Sequence, residues 1–197
     1  MLDPEQVRHD LSRHTCRHIE PGGLKPSAVM LLFYPKDASD TILFTRRTAH
    51  LSHHAGEIAF PGGGAHRDDT DLCATALRET EEEMGIRPQD ITVLGRLDDF
   101  ISVYGFHVVP FVGTIPSGYP FAANHHEIAE VIEVPVAQLC DPGIYHTENW
   151  EHRGRLYPVC FFNVEDYQIW GLTGAILRQF LQRTGQLPPG DLYGARP

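Results

Sequence analysis

Residues 64–86 read Gly64-Ala-His-Arg-Asp-Asp69-Thr70-Asp71-Leu72-Cys-Ala-Thr-Ala-Leu-Arg78-Glu79-Thr80-Glu81-Glu82-Glu83-Met84-Gly85-Ile86, and this stretch decides the architecture. Its spacing predicts a helix from Asp69 to Met84, opened by an acidic cluster and stopped by Gly85. At about 100° per residue, Leu72, Cys73, Ala76, Leu77, Thr80 and Met84 share one apolar stripe, with Glu79, Glu82 and Glu83 clustered on its flank. Glu79 stands three and four residues before the other two acids, spacings at which like charges repel. All three also sit in the last turn, where the negative end of the helix dipole opposes them. Arg78, four residues before Glu82, relieves part of that repulsion. Such a face is either simply solvated or held together by hard divalent cations, which take carboxylate oxygens as ligands. Just upstream, Pro61 fixes the chain direction, while Gly62, Gly63 and Gly64 allow the backbone to approach a metal or a phosphate closely.

Working outward, Asp3-Pro4-Glu5-Gln6 reads as a helix start with Gln6 closing a capping box, and turns Val7 and Leu11 toward the core. Apolar runs Ala28–Tyr34 and Thr41–Thr45, split by the turn-like residues 35–40, predict neighbouring strands. Further strands are expected at Ile91–Leu97, His107–Ile115, Ile128–Val134 and Tyr157–Phe162, and a helix over Leu172–Leu181. Helices and strands mixed in this order predict an α/β fold, an α/β/α sandwich around a mixed sheet. Residues 1–197 read as a single domain, with a Pro- and Gly-rich tail from about 187 expected to be flexible. Trp150, Tyr157 and Trp170 are expected in the core.

Composition sets limits on function. The 197 residues carry 16 Lys and Arg against 26 Asp and Glu, a formal net charge of −10, and no basic stripe that would neutralise a nucleic-acid backbone. An anionic substrate therefore needs a local cation. The four cysteines form no C-x-x-C pair, the amino-terminal residues lack the apolar run of a secretory leader, and no run approaches the roughly 18 apolar residues of a membrane span. The expectation is a cytoplasmic protein without membrane or nucleic-acid partners, for which a homodimer, the commonest soluble assembly, is compatible. The 12 histidines, including His14 and His18 around Cys16, lack the spacing of a structural zinc site.

The stretch Gly64–Ile86 resembles the Nudix box, G-x5-E-x7-R-E-U-x-E-E-x-G-U. Arg78, Glu79, Glu82, Glu83, Gly85 and Ile86 fall in register. Thr80 stands at an apolar position, and Thr70 takes the place of the first box Glu, between Asp69 and Asp71. Upstream, Thr45-Arg46-Arg47-Thr48, Gly56 and Phe60-Pro61-Gly62-Gly63 are similar to the motif L-L-T-x-R-[SA]-x3-R-x3-G-x3-F-P-G-G of the coenzyme A pyrophosphatase branch. Residues 102–105 and 108–112 resemble that branch too. Phe44, Thr48 and Ser52 depart from the motif, and Ser52 removes a guanidinium.

The resemblance implies metal-dependent hydrolysis of a nucleoside diphosphate linked to another group, a small-molecule substrate. For coenzyme A the implied products are 4′-phosphopantetheine and adenosine 3′,5′-bisphosphate. It implies Mg²⁺ or Mn²⁺ held by Glu79, Glu83 and Glu82, with a main-chain carbonyl at Gly63 as a further ligand. Arg78 would orient Glu82. The general base would be a box Glu, Glu82 or Glu83, or a Glu from a later loop, for which Glu127 is the candidate. Arg46, Arg47, His54, Gly62 and Gly63 are the implied substrate contacts. Alternatives are ADP-ribose, a dinucleoside polyphosphate or NADH as substrate, Tyr104 being the residue that resembles the dinucleoside-polyphosphate enzymes, or a binding module without catalysis.

Overall fold

The structure is a computed structural model that describes residues 2–49, 56–152 and 154–190. Two elements meet at once in a hairpin. Strand β1 (Lys25–Lys36) turns through Asp37 and Ala38, both at positive φ, into antiparallel β2 (Ser39–Arg47). Along β1 the side chains alternate between two cores: Leu31 and Phe33 enter one, and Met30, Leu32 and Tyr34 the other. A strand buried on both faces is the middle layer of a sandwich.

The main sheet is completed by β3 (Ile58–Ala59), β4 (Gly62–Gly64), β5 (Thr92–Arg96), β6 (Phe100–Ile101), β7 (Phe106–Thr114) and β8 (Ile128–Pro135). Its order is β3-β2-β1-β7-β5, with β4 on β1, β6 on β7 and β8 on β2. The β1–β7 pairing is parallel and the others antiparallel, so the sheet is mixed as expected. Helix α2 (Leu72–Met84) covers one face through Ala76 and Met84. The other face is covered by α1 (Pro4–Ser12), α3 (Val136–Leu139), α4 (Gly171–Arg183) and a second sheet, β9 (Tyr145–His152), β10 (Arg155–Val164) and β11 (Tyr167–Trp170), ordered β11-β10-β9.

Four local expectations are corrected. Helix α2 begins at Leu72, not Asp69, because Asp71 caps it by accepting from the Ala74 amide at 2.8 Å. Asp3 caps α1, and Val7 and Leu11 are buried, but the amide of Gln6 turns to Asp10 instead of closing a capping box. Strands β9 and β11 were not expected: Tyr145–His152 is polar, and Tyr167–Trp170 is short. Trp150, Tyr157 and Trp170 are 45%, 45% and 36% exposed, not core. Each belongs to this added sheet or its end, so what reads as apolar filling is surface. No helix among the described residues is long and apolar enough to cross a membrane.

Candidate active site

The box helix delivers its acids to the end of the sheet where β4 leaves β1. Gly62, Gly63 and Gly64 pair with Val29, Ala28 and Ser27. A Cβ on Gly62 would lie 2.4 Å from the Ala28 carbonyl oxygen, and one on Gly63 only 2.5 Å from the Glu79 carboxyl. The glycines are therefore required by proximity: this backbone runs directly against the first of the three glutamates.

Glu83 is 2% exposed. Its Oε1 accepts from Arg47 Nη1 at 2.9 Å and its Oε2 from the Gly62 amide at 3.2 Å. Burial pushes its carboxyl up to about 7, against the opposing pull of Arg47 and the Gly62 amide. Glu79, half-buried, is also raised, by burial first. Glu82 lies at the mouth and is largely exposed, taking Arg78 Nη1 at 3.0 Å.

Arg78 organises the rim. Its Nη1 donates to Glu79 and Glu82, its Nη2 to the Gly64 carbonyl, and its Nε and Nη2 to the two oxygens of Asp69 at 2.9 and 3.1 Å. Asp69 also accepts from Thr75 and from the His66 amide. Thr70, which replaces the box Glu, is exposed. The carboxylate missing from position 70 is thus supplied one residue earlier, for the purpose of holding Arg78. Thr80, at an apolar box position, satisfies its hydroxyl on the Ala76 carbonyl at 2.7 Å.

Glu127 reaches the site from the loop before β8. Its carboxylate lies 3.9 Å from Arg47 Nη2 and takes Asn124 Nδ2 at 3.4 Å. Its charge raises both Glu79 and Glu83. That loop is tied to the end of α2 by the Ala122 amide on the Met84 carbonyl and the Asn124 amide on the Glu83 carbonyl. Gly85, left-handed at φ +67, ends the helix there.

The expected site residues Arg47, Gly62, Gly63, Arg78, Glu79, Glu82, Glu83 and Glu127 thus converge. Arg46 does not join them: next to Arg47 along β2 it points to the opposite sheet face, where it pairs with Glu130, 2.5 Å away, which also accepts the Tyr167 hydroxyl at 2.7 Å. Glu130 and Tyr167 were not foreseen as its partners, since nothing local in the sequence links β2 to β11. His54 and Ser52 lie outside the described residues. Near the amino terminus, His14 Nε2 pairs with Asp98 Oδ1 at 2.5 Å, and Cys16 donates to the Arg96 carbonyl. Both tie the segment after α1 to the residues around β5.

Three carboxylates on one helical face, a glycine backbone against them and one part-buried guanidinium, Arg47, suit a hard divalent ion and an anionic substrate. The donor set fits Mg²⁺ or Mn²⁺, which favour carboxylate and carbonyl oxygen. The family model described as NUDIX domain matches residues 23–160. The chain is 36% identical over 182 residues to "Uncharacterized Nudix hydrolase NudL" of Escherichia coli O7:K1, covering 92% of this chain and 91% of that protein. It is 42% identical over 147 residues to the protein of the same description in Salmonella paratyphi B, covering 75% and 77%. Among solved structures, a C. elegans Ap4A hydrolase binary complex aligns with a TM-score of 0.49 and 16% identity, over 56% of this chain and 80% of that one.

Proposed function

This chain belongs to the Nudix hydrolase family, and on that premise we propose that it is a divalent-metal-dependent pyrophosphohydrolase acting on coenzyme A or acyl-coenzyme A. Water adds to one phosphorus of the pyrophosphate and the bridging P–O bond breaks. The products are 4′-phosphopantetheine, or its acyl form, and adenosine 3′,5′-bisphosphate.

The observation that carries the hydrolase reading is the double fixing of Glu83 by Arg47 and the Gly62 amide. It places a buried carboxylate, a guanidinium and a glycine backbone around one point. Glu79, Glu82 and Glu83, with the Gly63 carbonyl, would hold Mg²⁺ or Mn²⁺. When bound, the metal neutralises the pyrophosphate and lowers the pKa of water. The chain's own groups do the rest. Arg78 bonds both Glu79 and Glu82 and fixes their orientation. Arg47 offers a second Nη toward the substrate side, where it faces Glu127. Glu127, loosely held and partly exposed, accepts the proton of the attacking water.

What supports coenzyme A over other diphosphates is the upstream motif. Of its elements, Thr45, Arg47, Gly56 and Phe60–Gly63 are in place, and its Arg47 is the residue that holds Glu83. The four free cysteines suit a reducing, cytoplasmic setting. The test is hydrolysis with Mg²⁺ or Mn²⁺ across coenzyme A, acetyl-coenzyme A, ADP-ribose, NADH and diadenosine polyphosphates, with products identified by mass. Preference for the coenzyme A compounds with release of adenosine 3′,5′-bisphosphate is expected. Preference for another substrate discards the branch, and no turnover of any discards catalysis in favour of a binding module.

A further inference from the structure

On the side of the main sheet that α1 and α4 cover, folding brings three unlike metal-binding groups to one point: the His14 imidazole, the Cys16 thiol and the Asp98 carboxylate. Their ligand atoms all lie within 4.8 Å of one another. His14 Nε2 stands 2.5 Å from Asp98 Oδ1, and the Cys16 thiol donates to the Arg96 carbonyl at 3.6 Å. Sequence spacing hides the set, since Asp98 follows His14 by 84 residues.

The frame around the three is fixed. Asp98 Oδ1 accepts the Arg17 amide at 2.9 Å, and the Asp99 amide donates to the Arg17 carbonyl at 2.9 Å. The Asp98 amide in turn donates to Gln179 Oε1 on α4 at 3.0 Å. Asp99 engages Arg96 with one oxygen, and with the other takes the Ile19 amide and His107 Nε2. The side chains of His14 and Asp98 are 9% and 5% exposed. Outer bonds of this kind hold ligands in place around a metal.

The donor chemistry selects the ion. Imidazole nitrogen and thiolate sulfur suit zinc, and the carboxylate completes a three-ligand set whose fourth position goes to water. Mg²⁺ and Mn²⁺, which suit the all-oxygen glutamate face, gain little from a thiolate. Charge matches as well, because one thiolate and one carboxylate balance a dication. A tetrahedral zinc with bonds of about 2.0–2.3 Å holds its ligand atoms roughly 3.3–3.6 Å apart, so the imidazole has only about 1 Å to give. Zinc takes the place of the hydrogen between Nε2 and Oδ1: the imidazole carries its proton on Nδ1, Nε2 gives its lone pair to the metal, and the Cys16 proton leaves to solvent. His14 also forms part of the wall of a cleft of about 290 Å³, with Asp10, Arg13, Gln182 and Arg183, which gives the ion a way in and the water its room. A His–Asp hydrogen bond alone accounts for two of the groups and does not explain the thiol that converges on them.

We propose that His14, Cys16 and Asp98 form a zinc site, separate from the glutamate face, that fastens the segment after α1 to the turn between β5 and β6. The proposal goes beyond the hydrolase reading and stands or falls without it.

The test takes the full chain, freed of metal by a chelator, and titrates it with Zn²⁺ and with Co²⁺ as a spectroscopic substitute, beside Cys16→Ser, His14→Ala and Glu83→Gln. A stoichiometric amount of Co²⁺ should give a thiolate-to-cobalt charge-transfer band in the wild type and in Glu83→Gln, and none in Cys16→Ser. Competition with a chromogenic chelator should show Zn²⁺ bound at least about 100-fold more weakly in Cys16→Ser and His14→Ala, more than the loss of an outer partner costs. Metal-free Cys16→Ser should melt with the wild type, the change being a single atom. Zn²⁺ should also shield Cys16 of the wild type from iodoacetamide, read by peptide mass, whereas excess Mg²⁺ should not; this arm needs no variant to fold. No charge-transfer band in the wild type, a band that persists in Cys16→Ser, or alkylation of Cys16 indifferent to Zn²⁺ overturns the site.

Discussion

Asp69 receives Nε and Nη2 of Arg78 on its two carboxylate oxygens, at 2.9 and 3.1 Å. This paired contact holds Arg78 over Glu79 and Glu82, and Arg78 in turn holds the Asp69 carboxyl well below the usual carboxylate range. The box departs from its pattern at Thr70, yet the ion pair that steadies the arginine is present. The chain reaches it by starting the helix at Leu72 and leaving Asp69 in the turn before the cap.

Two substitutions separate that account from a damaged box. Asp69→Asn should lower kcat roughly tenfold or more, the range for losing a partner that orients metal ligands, and should lower the melting temperature by a few degrees. Thr70→Glu should change kcat by less than about threefold, because its exposed side chain would add a carboxylate where Arg78 is already satisfied. A large gain from Thr70→Glu would show that Asp69 does not do this work.

Neighbouring glycines should respond in opposite ways to one methyl group. At Gly63 a Cβ would lie 2.5 Å from the Glu79 carboxyl, whereas at Gly64 nothing lies within 4 Å. Gly63→Ala should therefore displace Glu79 and reduce kcat by about 100-fold, the cost of a misplacement near 1 Å. Gly64→Ala should leave it nearly unchanged. Steady-state rates with both proteins at matched metal concentration check this, and equal tolerance at both positions would remove Gly63 from the site.

The burial of Glu83 carries a pH signature. Its carboxyl sits at about 7 in the folded protein against 4.5 for the free group, so between those values the folded state binds more protons than the unfolded chain. The stability this confers is complete below about pH 4.5 and lost as pH rises toward 7. Metal-free wild type should accordingly lose more stability between pH 5 and pH 7.5 than Glu83→Gln. Added Mg²⁺ or Mn²⁺ should raise the melting temperature more at pH 7.5 than at pH 5.5, because ligation requires the ionised form. Identical pH slopes in the two proteins would contradict the assignment.

Most of the sandwich and the acidic face were legible because their signals are local: apolar alternation in β1 and β2, the stripe on α2, and the glycine stop at Gly85. What escaped is long-range. Strand β9 pairs with β10 through a polar face, Tyr145–His152, that no periodicity announces. The opposite fates of Arg46 and Arg47 follow from the alternation of β2, but their partners Glu130 and Glu83 lie on β8 and α2 and are set only by folding. Trp150 and Trp170 read as core by residue type, and only their places on β9 and β11, the two edge strands of the second sheet, leave them on the surface. In the site, the glutamates and glycines were readable from motif spacing, while the partnership of Glu83 with Arg47, 36 residues apart, is a product of folding.

The central claim is that Glu83 works as a charged ligand in a hydrolytic site, and the most direct test compares wild type with Glu83→Gln, which keeps size and removes charge. Hydrolysis of coenzyme A is measured with Mg²⁺ or Mn²⁺, with and without chelator, alongside the melting temperature. The account predicts metal-dependent turnover in the wild type, abolished by chelation and at least about 100-fold lower in Glu83→Gln, with both proteins folded alike. Near-normal rates in Glu83→Gln would take the helix out of the mechanism.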